Sequence, residues 1–205
     1  NDDLRRNQPS SHIKYGEANA VLAGDALQAL AYEIIVNDNF LSADEKVNAI
    51  DLLSKACGKN GMVLGQYLDI ENENNQDIDL KKLDDIHNLK TGKLIECAVM
   101  LGQIGSNLES ESLNVLRDFS SKIGLAFQIT DDILDVTQME SILGKNKNSD
   151  AKNNKLTYID IIGLGEARLI ANKLTDSALN SLNKSNITNI DKLVEMAKYL
   201  ISRES

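Results

Sequence analysis

The chain has 205 residues, 42% of them apolar and 26% charged, which is the composition of a folded globular protein and not of a disordered one. A single Pro, 12 Gly and 4% aromatic residues exclude a turn-rich β-sandwich or barrel and point to long helices. With 22 basic against 31 acidic residues, net −9, the chain lacks the basic excess of a general nucleic-acid binder.

Helical periodicity dominates in chain order. Residues 14–35 are rich in Ala, Leu and Val and apolar nearly all round, so a helix buried on several sides is expected there. Ser42 and Glu45 form a capping-box pattern opening a second helix, with Val47, Ile50, Leu53 and Ala56 on one face. A third helix is expected over 60–69, where Gly61 and Gly65 suit close helix packing, followed by a polar loop at 71–77. A fourth runs over 80–101 and a long fifth over 110–138, with Leu116, Phe119 and Ile123 in its core stripe. Residues 141–155 read as an aperiodic, Lys- and Asn-rich loop, and helices follow at 158–182 and 190–202. No hairpin, repeat or linker is evident. The expectation is one all-α domain, 1–205.

Two cysteines, Cys57 and Cys97, make neither a disulfide framework nor a Cys-rich zinc site and fit a reducing, cytoplasmic setting. No apolar run approaches the ~20 residues needed to span a bilayer, so no membrane association is expected. The chain opens at Asn1 without an initiator Met and reads as beginning partway through a longer one.

The sharpest chemical feature is Gln128–Asp135, with carboxylates at Asp131, Asp132 and Asp135. Asp131 and Asp135 are four apart on a helix and Gln128 three before Asp131, so the three share one face. Apolar Ile129, Ile133 and Leu134 flank that face and suggest a cleft rather than open water. Carboxylates this close repel, and a hard divalent cation removes the penalty. Taken alone, such a cluster reads more readily as a solvated acidic face, and the cationic neighbours shift that reading. Lys145, Lys147, Lys152 and Lys155 follow on the loop and suit a lid over a metal-bound polyanion, or a plain solvated loop. Lys90-Thr91-Gly92 puts two poor helix formers inside a helix and suggests a kink, or a tolerated weakness. Arg5-Arg6 is a pair that grips phosphate or stands as surface charge. His12 and His87 are lone histidines without metal-ligand spacing; His87 reads as a partly exposed helix residue.

DDLRR at 2–6, HIKYGEANAVLAGDAL at 12–27, GMVLGQYLD at 61–69, KTG at 90–92, GLAFQITDDILD at 124–135, LGK at 143–145 and KLTY at 155–158 occur in this order along the chain. The set resembles the trans-isoprenyl diphosphate synthases, most closely the bacterial farnesyl diphosphate synthase type. That resemblance implies an all-α isoprenoid synthase fold around a central cleft, and a homodimer. It implies a prenyltransferase that condenses an allylic diphosphate with isopentenyl diphosphate to a short-chain product such as farnesyl diphosphate. By the same resemblance Asp131, Asp132 and Asp135 hold Mg²⁺ (or Mn²⁺) on the allylic diphosphate. Arg5 grips the allylic diphosphate and Arg6 isopentenyl diphosphate. Lys90, Thr91, Gln128, Lys145 and Lys155 surround the allylic substrate, with the Gln128 oxygen and the Lys90–Thr91 backbone facing the cation.

Two departures stand out: Asn7 replaces the family's Gly after the Arg pair, and the family's first aspartate-rich motif is not in the sequence. Asp2 and Asp3 fall just after that motif's place and are not assigned to metal. Residues 1–205 alone are therefore expected to be inactive. A class I terpene cyclase and a non-catalytic helical subunit are the competing readings. The Arg pair disfavours the first and the acidic cluster the second.

Overall fold

The computed structural model describes residues 3–5, 8–73, 75, 77–143 and 156–202. Nearly all of them are helical, as the composition requires. The chain divides into two compact units, residues 1–50 and 51–205.

The first unit opens on an element the sequence did not announce. Two-residue strands β1 (Leu4–Arg5) and β2 (Gln8–Pro9) pair antiparallel, Leu4 opposite Pro9. A Ser10 N–H to Asp3 carbonyl bond of 2.9 Å closes the turn. The helix expected over 14–35 is two helices, α1 (Ser11–Tyr15) and α2 (Glu17–Asn37). Gly16 separates them at φ 85°, a conformation that costs a residue with a Cβ heavily. Burial of α2 on several sides is not what the structure shows: none of its residues is buried, and Val21, Leu22, Leu27, Leu30 and Ile34 are exposed. Apolar composition all round states a capacity for burial, and within the first unit no described element supplies the cover. By length and composition α2 is also apolar enough to cross a membrane, contrary to the sequence expectation. Asp25 and Glu33 interrupt its apolar run. Helix α3 (Ala43–Cys57) starts at the expected capping box. Glu45 accepts from the Ser42 N–H at 2.7 Å, and the Glu45 N–H reaches the Ser42 hydroxyl at 3.4 Å.

The second unit is built around the long helix α7 (Ser110–Leu143), which packs along α9 (Leu164–Asn183). Helices α6 (Lys93–Gly102) and α10 (Asp191–Ser202) complete one core, holding Met100, Leu116, Phe119, Ile123, Ala178, Leu182 and Ala197. A second core gathers Leu83, Ile129, Tyr158, Ala167 and Ala171 from α5 (Leu80–His87), α7, α8 (Tyr158–Ile162) and α9. Each large side chain buried there contributes roughly 1.5–3 kcal/mol.

Helix α4 (Met62–Glu71) lies against a π-helical turn, Asn88–Gly92, that joins α5 to α6. The helix expected over 80–101 is thus interrupted where Lys90-Thr91-Gly92 signalled a weakness. The helix expected over 158–182 breaks at Gly163, φ 79°. A Thr157–Asp160 capping box opens α8.

Candidate functional site

The π-turn fixes the site's first wall. Gly65 on α4 sits so close to it that a Cβ there would come 2.1 Å from the Lys90 nitrogen. Across the turn, a Cβ on Gly124 of α7 would stand 3.1 Å from the Gly92 Cα. Small residues on both sides let α4, the turn and α7 approach closely, which bears out close packing at Gly65, whereas Gly61 lies before α4 and crowds the Ala56 carbonyl at the end of α3. One extra residue per turn of a π-helix rotates Lys90 and Thr91 relative to the helices on either side.

Three side chains meet between the turn and α7. Thr91 Oγ1 donates to Gln128 Oε1 at 3.0 Å, and His87 Nδ1 lies 3.0 Å from the same oxygen. Lys90 Nζ is ion-paired with Asp69 Oδ2 of α4 at 2.8 Å, a pair with little solvent exposure. The structure therefore joins Thr91 and Gln128 with His87, and pairs Lys90 of the same turn with Asp69. The Gln128 oxygen expected to face a cation is instead engaged by Thr91 and His87. The carboxamide end that meets the Thr91 hydroxyl and the His87 ring is thereby turned away from any ligand.

One turn further along α7 come the carboxylates. Asp131 and Asp132 are half-buried and Asp135 is exposed. Asp132 Oδ2 accepts the Tyr158 backbone N–H at 2.9 Å. Burial pushes the Asp132 carboxyl up to about 7; the Tyr158 N–H opposes this, and the charges of Asp135, Asp131 and Asp160 add to it. Tyr158 itself is fully buried, donates its hydroxyl to Asp84 and stacks on the His87 ring, centroids 5.6 Å apart and planes at 19°. Burial, then the bond to Asp84, raises the Tyr158 pKa. Burial lowers that of His87.

No three His, Cys, Asp or Glu side chains among the described residues stand at metal-holding distance of one another. The donor chemistry nevertheless suits Mg²⁺, which takes one or two carboxylates and completes its shell with waters and substrate phosphates. Asp132 supports the fit, because a carboxyl held up near 7 beside two others is relieved by a cation. Arg5 lies in β1 of the first unit. Arg6, Lys145 and Lys155, with the lid expected of the lysine-rich loop beyond Leu143, lie outside the described residues. The sequence reading missed Asp69 and Asp84, whose acidic neighbours on amphipathic helices look like ordinary solvated faces. It gave His87 no role for want of a second histidine.

The polyprenyl synthetase family model matches residues 1–197. The chain belongs to the polyprenyl synthetase family. It is 42% identical over 207 residues to farnesyl diphosphate synthase of Escherichia coli, covering 98% of this chain and 69% of that enzyme. It is 39% identical to geranylgeranyl pyrophosphate synthase 7, chloroplastic, of Arabidopsis thaliana, covering all of this chain and 60% of the relative. The chain thus spans only about three-fifths of the plant relatives it matches. A geranyltransferase of Helicobacter pylori, in complex with magnesium and isoprenyl diphosphate, superposes with a TM-score of 0.76 at 35% identity, over 97% of this chain and 64% of that one. As a polyprenyl synthetase the chain has the all-α isoprenoid synthase fold, as the sequence led one to expect.

Proposed function

We propose that the whole protein is a prenyltransferase that condenses an allylic diphosphate with isopentenyl diphosphate to a short-chain prenyl diphosphate, farnesyl diphosphate being the first candidate. One juxtaposition carries this reading. The Gln128–Asp131–Asp135 face of α7 adjoins the π-turn that presents Lys90 and Thr91, in a chain matched by the family model over 1–197. The Escherichia coli relative supports a farnesyl product and the plant relatives a longer one.

Asp131, Asp132 and Asp135 would hold Mg²⁺ (or Mn²⁺). When bound, the metal neutralises the diphosphate leaving group. The residues position and shield. Lys90, oriented by Asp69, adds positive charge beside the departing diphosphate. Arg5, Arg6, Lys145 and Lys155 are proposed to grip the two diphosphates. The allylic C–O bond breaks, leaving an allylic cation and diphosphate. The isopentenyl double bond attacks the cation, and the adjacent C–H proton passes to the diphosphate. A homodimer is part of the proposal.

Incubating the whole protein with Mg²⁺, dimethylallyl diphosphate and labelled isopentenyl diphosphate tests it. Label should appear in a longer prenyl diphosphate. Conversion of a single prenyl diphosphate to a hydrocarbon, with no label incorporated, would replace this reading with the cyclase.

A further inference from the structure

His87 takes no part in the chemistry above, yet it touches both arms of the site. Its Nδ1 lies 3.0 Å from Gln128 Oε1, and its ring stacks on Tyr158, whose backbone N–H holds Asp132. Its Nε2 is buried and has no hydrogen-bond partner among the described residues. Two arrangements of hydrogens satisfy the first contact. In one, His87 carries its proton on Nδ1 and donates to the Gln128 oxygen, as Thr91 does. In the other the carboxamide is turned end for end: its –NH2 donates to both neighbours, His87 Nδ1 accepts, and the proton sits on Nε2. The second arrangement buries an N–H with no acceptor, the costlier kind of orphan. The first leaves only an unused lone pair on Nε2. An imidazolium would bury the same orphaned N–H together with a charge.

We propose that His87 is a positioning residue whose Nδ1–H tautomer decides which end of the Gln128 carboxamide serves the substrate: the carbonyl is held inside and the –NH2 is left for the ligand. Two N–H donors on the same helix face as Asp131 suit the oxygens of a diphosphate and not a carbocation. The stack on Tyr158 fixes the ring plane, so the donor cannot swing away from Gln128. This inference rests on the prenyltransferase reading for its substrate but not for its tautomer.

The first test needs no turnover. The whole protein is labelled with ¹⁵N-histidine, and the His87 resonances are identified by their loss in His87→Asn. Long-range ¹H–¹⁵N spectra at neutral pH should show the Nδ1–H tautomer, with and without Mg²⁺ and inorganic pyrophosphate. An Nε2–H tautomer or an imidazolium overturns the proposal. The second test separates donor from stack. His87→Phe keeps an aromatic ring on Tyr158 and removes the donor. His87→Asn loses the stack and keeps an N–H near the place of Nδ1. The Phe variant should lose roughly ten- to a hundredfold in kcat, with a smaller change in the allylic KM, and the Asn variant should recover most of it. Equal losses in both, or none in either, would reduce His87 to packing. Were the wild-type protein to form no prenyl product, the functional reading would fail, and the tautomer would still decide this one.

Discussion

Asp131 and Asp132 are neighbours in sequence but answer to different surroundings. Asp131 shares the face of Gln128, whereas Asp132 turns toward the Tyr158 N–H. For Asp131→Ala, turnover by the whole protein should fall by about two to three orders of magnitude with unchanged helical circular dichroism. A rate within threefold of wild type would sink the metal role. Asp132 makes a thermodynamic prediction. Its carboxyl is raised to about 7 in the fold, so between the unfolded value and about 7 the folded chain keeps a proton that the unfolded chain has lost. Its contribution therefore declines as pH rises through that window, by at most ~1.4 kcal/mol per pH unit and less where solvent reaches the group. His87 works in the opposite sense, since its lowered pKa costs stability on acidification. Comparing Asp132→Asn with wild type cancels the histidine. Without divalent cation, the variant's advantage in denaturant unfolding should grow from about pH 4.5 to pH 7, and Mg²⁺ should shrink it. An advantage independent of pH would refute the assignment. Much of this site was legible in the sequence: i, i+4 spacing places Asp131 and Asp135 on one face, and Gln128 with them. The Asp69–Lys90 pair and the Asp84–Tyr158 bond were not, because they join elements 21 and 74 residues apart, and spacing within a helix carries no information at that range.

Gly65 and the π-turn set the geometry between elements. A Gly65→Ala methyl would strike the Lys90 backbone at 2.1 Å, and backbone cannot yield as a flexible side chain can. The turn must move, taking Thr91 off Gln128. The variant should lose about 1–3 kcal/mol or more in a denaturant melt. Gly165→Ala meets nothing within 4 Å and should be neutral or gain at most about 1 kcal/mol. A Gly65→Ala variant as stable as Gly165→Ala would show that helix propensity, and not the close approach, governs Gly65. The helices themselves were readable from apolar periodicity, α3 and α10 nearly to the residue. Their interruptions were less so. The breaks at Gly16 and Gly163 leave the apolar pattern running on, and only the positive φ marks them. At the π-turn the poor helix formers Thr91 and Gly92 gave the warning that periodicity withheld.

Across the whole chain, α2 is where sequence expectation and structure part most clearly. Its apolar residues predicted burial, and Leu22, Ile34 and Val21 stand at 62%, 62% and 65% exposure. A helix with that much apolar surface in water gains free energy from any like surface that covers it, at roughly 25 cal/mol per Å² removed from solvent. The net charge of −9 opposes association, but charges farther apart than the ~8 Å screening length at physiological salt repel weakly. The apolar term should therefore win, and residues 1–205 should sediment as dimers or larger species at micromolar concentration. Replacing Leu22 and Leu30 together by Lys should shift them to monomer. Lysine is the informative choice because two of them move the net charge from −9 to −7. Overall repulsion then falls, so dissociation must come from the α2 face itself, which loses apolar contact and gains charges that resist burial. Sedimentation velocity in about 0.15 M salt decides the matter: a monomeric parent chain, or an unchanged distribution in the double variant, would show that α2 does not drive association.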